Sequence, residues 1–274
     1  MRLATWNILH GKSLDDDRVD AARLRAAVAD LDVDVLGVQE VDRGQARLGG
    51  LDLAAEVAAG LGAREWRFLP ALTGAADGPW RVAAGADGVP GAAYGSRWSR
   101  GTRFEPGTCC GWALPAPPTG SRVPWLRDEA RVALAAVVVT PLGVMTVAST
   151  HLSVVRGWSA VQLCRLSRWL RELPEPQIVL GDLKMSARAA GVASGFQVLA
   201  RHATHPSHAP RVQLDHVLGR GVLPPVRASG APCVPLSDHR PLVVELSRRA
   251  IRAFVCAKGS RRGRVASGLG SEPR

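Results

Sequence analysis

The chain has 274 residues, 46% of them hydrophobic, and carries 35 Lys+Arg against 24 Asp+Glu for a formal charge of +11. That much apolar material suits one large α/β domain or two small ones, and the absence of a long polar linker favours one. No apolar run reaches about 18 residues, which argues against a membrane-spanning helix, and "MRLATWNILHG" lacks the basic, apolar, small order of a secretory signal, so signal-directed export is not expected.

The charge is unevenly placed. From Arg248 to Arg274 eight Lys+Arg face one acid, Glu272, a net of +7, so the preceding 247 residues carry only +4. The tail is rich in Gly, Ser and Arg without sustained periodicity. Residues 1–247 are therefore expected to form the folded domain and 248–274 a disordered extension, solvated or open to a polyanion. The five cysteines are odd in number and show no C-x-x-C spacing, which suits a reduced cytoplasm. A monomer is the expectation.

In chain order, residues 2–8 read as a strand, and "DDDRVDAARLRAAVADLD" (15–32) as a helix with acids at its start. "VDVLGVQE" (33–40) reads as a second strand ending on Glu40, "LDLAAEVAAGLG" (51–62) as a helix closed by glycine, and "WRFLPAL" (66–72) as a strand. Residues 73–125 hold much of the Gly, Pro and Trp and read as long loops apart from a strand near Tyr94. "RVALAAVVVTPLGVMTVASTHLS" (131–153) is a hairpin turning at "TPLG", followed by a helix over 159–173. The apolar run before Asp182 is a strand, and 212–219 and 241–246 are the last strands, joined by Pro-rich connections. Strand–helix units first and hairpins later point to two packed sheets with helices outside.

Polar residues at strand ends then form a set: Asn7, Glu40, His151, Asp182, Asp215–His216 and Asp238–His239. Any one of them read alone is a turn residue or a satisfied histidine; together they suit a shared rim. Asn7 is the only asparagine in the chain. Carboxylates are hard oxygen ligands for a divalent cation, and histidines with a water-orienting carboxylate supply what phosphoester hydrolysis needs.

The ordered motifs "TWNILHG", "VLGVQEVD", "STHLS", "VLGDLK", "QLDHVL" and "LSDHRPLVVEL" resemble those of the endonuclease/exonuclease/phosphatase superfamily and run from residue 5 to 246. The resemblance implies a DNase I-like, four-layer α/β/β/α sandwich with the active site at one edge of the two sheets. It implies a Mg²⁺- or Mn²⁺-dependent phosphoesterase acting on a small-molecule, lipid-derived or nucleic acid phosphoester. It assigns Glu40 as principal metal ligand with Asn7 beside it at the metal–phosphate site, and Asp182 as the residue that positions or deprotonates the attacking water. His239 would contact phosphate with its ring oriented by Asp215, Asp238 would bind metal or orient the site, and His151 would bind phosphate or act as general acid. His216 is expected to pack away.

One position departs from that pattern. Where the family reads Gly-Asp-x-Asn, this chain has "GDLK" and places Lys184. Two unit charges 4 Å apart interact by roughly 4 kcal/mol at an effective dielectric of 20, about doubled for a divalent ion, so a lysine there opposes metal binding. Three outcomes stay open at this point: Lys184 replaces part of the metal's electrostatic role, it swings into solvent, or it cripples the enzyme. The last would leave a catalytically impaired phosphate- or nucleic-acid-binding protein that keeps the fold.

Overall fold

The computed structural model describes residues 1–74, 81–83, 93–100, 104–116, 128–155 and 157–247, with backbone alone over 93–100 and 104–108. The tail expected over 248–274 and the arginines of the segment 95–104 lie outside the described side chains.

Alternation decides how the first strand is used. In β1 (Arg2–Asn7) Leu3 packs between the two sheets while Ala4 and Trp6 pack outward, so the period of two turns Thr5 and Asn7 inward. β2 (Val35–Arg43) runs parallel to it. At Gly37 a Cβ would stand 3.0 Å from both Leu180 Cβ and Ser149 Oγ, so glycine is what lets the sheets close here.

The remaining strands are β3 (Glu65–Thr73), β4 (Arg81–Val82), β5 (Ala93–Arg100), β6 (Phe104–Ala113), β7 (Val132–Thr140), β8 (Gly143–His151) and β9 (Gln177–Asp182). They continue with β10 (Gln197–Val198), β11 (Asp215–Arg220), β12 (Val226–Gly230) and β13 (Leu242–Leu246). The helices are α1 (Ala21–Asp30), α2 (Leu53–Leu61), α3 (Trp158–Trp169) and α4 (Ala187–Ser194). One sheet has the order β12-β13-β1-β2-β5-β3-β4, the other β10-β11-β9-β8-β7-β6.

Three buried clusters define the layers. Leu3, Val35, Val147, Ile178 and Leu180 fill the space between the sheets. Leu24 and Val28 of α1 and Leu53 and Val57 of α2 cover the outer face of the first sheet against Trp6, Leu36 and Val38. Leu163 and Leu166 of α3 and Ala190 of α4 cover the second against Ala148, Val179 and Leu218. The result is the expected α/β/β/α sandwich. Truncating a fully buried leucine such as Leu180 to alanine costs about 2–5 kcal/mol.

The elements differ from the sequence reading where caps and bulges decide. The helix expected from residue 15 starts at Ala21, because Asp20 takes the N-cap and accepts from the Arg23 amide, leaving Asp15–Asp17 in a turn. The strand expected to stop at Glu40 runs on to Arg43 through a register shift between Val38 and Val41. β6 was hidden by Pro106 and Gly107, which break its apolar pattern and coincide with a shift in pairing. The Ser186-capped α4, eight residues rich in alanine, is too short to show a period. β11 starts at Asp215, and Val212, expected at its head, instead bridges to His205.

Candidate active site

Topology gathers the polar strand ends on one edge. β1 pairs parallel with β2, and β8 with β9, so Asn7, Glu40, His151 and Asp182 share an edge. β11 runs antiparallel to β9 and therefore begins there with Asp215, and the turn ahead of β13 adds Ser237, Asp238 and His239. Register aligns His151, Asp182 and Asp215 in a single row across three strands. A Cβ on residue 181 would lie 2.3 Å from the Thr150 carbonyl oxygen, so Gly181 is the condition for Asp182 to reach that row.

Asp182 is the meeting point. Its Oδ2 lies 2.6 Å from the Lys184 ammonium and accepts from the Asn7 amide at 3.1 Å, with His151 Nε2 at 3.5 Å and His239 Nε2 at 3.7 Å. The same Asn7 amide donates to Glu40 at 2.8 Å, and the Asn7 side-chain oxygen Oδ1 accepts from the Leu9 backbone amide at 3.1 Å. Asp215 accepts from His239 Nδ1 at 2.8 Å and from the Thr204 hydroxyl at 2.6 Å. The His239 backbone is fixed by Trp6 Nε1, which donates to its carbonyl at 3.0 Å, and by Ser237, whose hydroxyl accepts from the His239 amide and donates to the Asn7 carbonyl. His216 points to the other face as expected, buried, with its Nε2 2.8 Å from the Met185 carbonyl. Asp238 stands at the margin, 3.6 Å from His205, and its carboxylate groups with His205 and His239.

The electrostatics separate the ionisable groups. Burial pushes the Asp182 carboxyl up, but the pull of the His151 ring, the Lys184 ammonium and the His239 ring outweighs it and holds the group below the usual carboxylate range. For Lys184, burial works against the charge and the Asp182 carboxylate more than compensates, raising it. Burial lowers His239, yet its hydrogen bond to Asp215 and the charges of Asp215 and Asp182 bring it above the ordinary imidazole value. His151 goes the other way: burial, then the charge of Arg131, keeps it well below that value and hence neutral. Burial raises Asp215, against the pull of His239.

Lys184 is not turned to solvent. Its side chain is 18% exposed, and its backbone adopts φ 52°. Glu40 (φ 55°), Ser237 (φ 65°), Leu9 (φ 44°) and His10 (φ 56°) are also left-handed without being glycine. Such residues cost about 1–3 kcal/mol each and persist where surroundings over-determine them; here they line the same edge.

Several site-bordering residues were not singled out in the sequence. His10 lies 3.6 Å from Glu40 and 3.3 Å from buried Asp42, which Arg47 holds at 2.6 Å. It sat inside the "TWNILHG" motif, but its irregular backbone offers no period to follow. Thr204, which supports Asp215, comes from a segment with no strand-end signal, whereas Arg131, whose charge reaches His151, stands at the head of the hairpin read over 131–153 and was not singled out there.

The sequence profile of the Endonuclease/Exonuclease/phosphatase family matches residues 4–239. The chain belongs to this family. Family and neighbours are hydrolases acting on phosphoester bonds. Its fold is shared with an endonuclease/exonuclease/phosphatase from Beutenbergia cavernae at 22% identity and TM-score 0.61, covering 89% of this chain and 70% of that one. A mannosyl-6-phosphatase of Bacteroides thetaiotaomicron is 14% identical at TM-score 0.63, covering 90% and 99%. Sphingomyelinase C from Streptomyces griseocarneus is 16% identical at TM-score 0.57, covering 90% and 99%. At these identities the likeness is one of fold. No curated protein sequence matches the chain.

Members of the family usually depend on a metal, and the donor set here suits one. Glu40 brings a carboxylate to the opening, Asp215 Oδ1 is buried without a hydrogen-bond donor, and Asp182, Asp215 and His239 present ligand atoms within 4.8 Å of one another. Carboxylate oxygens of this kind fit a hard divalent cation that keeps several waters. The Lys184 ammonium already claims one Asp182 oxygen, and the Glu40 carboxylate, which accepts from Asn7, stands outside that group.

Proposed function

We propose that the chain is a Mg²⁺- or Mn²⁺-dependent phosphoester hydrolase, a cytoplasmic monomer whose catalytic domain is residues 1–247 and whose residues 248–274 are an appended basic tail. The observation that carries this reading is the surround of Asp182: a buried, ionised carboxylate with an ammonium, an amide and two imidazole nitrogens within 3.7 Å. The Lys184 ammonium and the Asn7 amide are bonded to it, and the two imidazole nitrogens stand close enough to share a phosphoryl oxygen or a water with it. Free thiols at Cys110, Cys164 and Cys233 are compatible with a reducing compartment.

In this reading Glu40, with Asn7 beside it, would hold the cation, which would supply Lewis-acid stabilisation of the phosphoryl oxygens. Asp182, kept ionised by its neighbours, orients the attacking water and takes up its proton. His239, whose protonated form the Asp215 carboxylate favours, donates from Nε2 to a phosphoryl oxygen. His151 is neutral, so it serves as a phosphate-oriented donor rather than a general acid. Asp238, at the margin with His205, orients the His239 side of the opening. Lys184 is a tethered positive charge that stabilises developing negative charge but competes with the metal.

The test is hydrolysis of para-nitrophenyl phosphate and bis(para-nitrophenyl) phosphate with added Mg²⁺ or Mn²⁺ and after EDTA, in wild type and Asp182→Asn. The expected outcome is metal-stimulated hydrolysis that EDTA and Asp182→Asn both remove. The 2.6 Å Lys184–Asp182 pair favours a second reading, a phosphate-binding protein without turnover; phosphate binding by the wild type with no hydrolysis under any metal would select it.

A further inference from the structure

Beside Glu40 lies a cleft of about 510 Å³ that the hydrolytic scheme does not use. Val19, Leu48 and Leu51 form its apolar walls, and Lys12, Arg18 and Arg47 bring three cations to it against one carboxylate, Asp17, which Lys12 pairs. His10 stands at the boundary, lining the cleft while its Nε2 lies 3.6 Å from the Glu40 carboxylate. A molecule bound at Glu40 therefore has the cleft directly beyond one imidazole ring.

The wall between them is built firmly. Lys12 pairs with Val19 across the loop, the Ser13 amide donates to the Arg18 carbonyl at 2.9 Å, and the Ser237 amide donates to the Lys12 carbonyl at 2.9 Å. This ties the cleft to the turn that carries His239. The three cations are not equally committed. Lys12 is paired with Asp17 at 2.8 Å and Arg47 with buried Asp42 at 2.6 Å, whereas among the described residues the Arg18 guanidinium has no hydrogen-bonded or ion-paired partner. Another cleft, about 360 Å³ and lined by Leu31, Cys233 and Val243, shares none of the catalytic side chains and offers no comparable continuity.

We propose that this cleft is a second anion subsite, with Arg18 as its principal donor, and that the natural substrate is a small phosphoester whose alcohol portion carries a second phosphate. This rests on the hydrolase reading and adds the substrate class. Arg suits a phosphate because its planar fork of N–H donors matches two phosphate oxygens at once, and the apolar walls accept the carbon skeleton between the two anions. A nucleic acid strand fits less well. Binding a strand takes a track of cations along the backbone with stacking side chains, whereas these charges converge on one concavity.

The experiment compares a series of linear alkanediol bisphosphates with the corresponding alkyl monophosphates, in wild type, Arg18→Gln and Lys12→Gln. The wild type is expected to show higher kcat/KM for the bisphosphate of fitting length, and Arg18→Gln to lower the bisphosphate-to-monophosphate ratio about tenfold, chiefly through KM, the effect of losing one charge-assisted pair. Lys12→Gln should lower it less. A ratio unaffected by Arg18→Gln overturns the subsite, as does a single-stranded oligonucleotide hydrolysed faster than every bisphosphate. Calorimetric binding of the same bisphosphates to Glu40→Ala keeps the two proposals separable: if no ester is hydrolysed by the wild type, the hydrolase reading fails, while Arg18-dependent preference for two phosphates still decides the subsite.

Discussion

The two halves of the candidate site are made by different means. On the β8, β9 and β11 side, His151, Asp182 and Asp215 occupy one register row of regular strands, so the sheet register places their backbones side by side. On the β1 and β2 side, Glu40 sits at a break in the β2–β5 register with a left-handed backbone, and His10 follows Leu9 in two successive left-handed residues. The contrast teaches that this rim joins a regular floor that carries Asp182 to a strained wall that presents Glu40. Asn7 links them, donating to Glu40 at 2.8 Å and to Asp182 at 3.1 Å.

Breaking the regular half should have the largest effect. Asp182→Asn removes the group assigned to the water and should cut kcat by about 10²–10⁴; a variant retaining most of its activity would remove Asp182 from that role. His239→Ala should cost about 10²–10³ by loss of a preorganised donor. Asp215→Asn should reproduce part of that loss, and the double variant should be little worse than His239→Ala, because Asp215 acts through the ring. Additive losses in kcat would show two independent roles.

The pH dependence sharpens the comparison within the same half. The folded-state value of His151 is depressed below its ordinary 6.5, so the unfolded chain binds a proton that the folded chain refuses. The stability this histidine contributes is therefore present above about pH 6.5 and lost as pH falls toward the folded value. His151→Gln cannot take up that proton. Its melting temperature should drop less between about pH 7 and pH 5 than that of the wild type; an equal drop would place the acid sensitivity elsewhere.

The strained half gives a smaller effect of opposite sign. Glu40→Gly relieves a φ of 55°. It should stabilise the fold by about 1 kcal/mol, a rise of about 2–4 °C in melting temperature, while abolishing metal-stimulated hydrolysis. Glu40→Ala should lose the same activity without that rise. Equal melting temperatures for the two would mean that the bend is not strained.

The legibility of the chain followed the same division. Asp182 and His151 end apolar runs with clear alternation, and the parallel pairing of their strands follows from helix crossovers, so the sequence was enough to bring them to one edge. Glu40 was legible as a residue but not as a bend, since the apolar pattern "VDVLGVQE" says nothing of the register break that follows. Thr204 and His10 escaped because their positions depend on loop closure across many residues rather than on a local period. β6 and β12 escaped for a related reason: proline, glycine and charged residues obscure strands whose pairing is decided by their neighbours.

Lys184 belongs to both halves, a left-handed residue of the second kind whose ammonium rests on a carboxylate of the first. The claim most open to direct contradiction is that this ammonium competes with the metal for the field of Asp182 and Glu40. Asparagine tolerates the left-handed backbone better than lysine and carries no charge. Calorimetric titration of Mg²⁺ into wild type and Lys184→Asn, with hydrolysis of para-nitrophenyl phosphate on the same preparations, measures the claim. The account predicts tighter Mg²⁺ binding and faster hydrolysis in Lys184→Asn. Unchanged Mg²⁺ affinity together with lost hydrolysis would contradict it and make Lys184 a phosphate clamp on which the reaction depends.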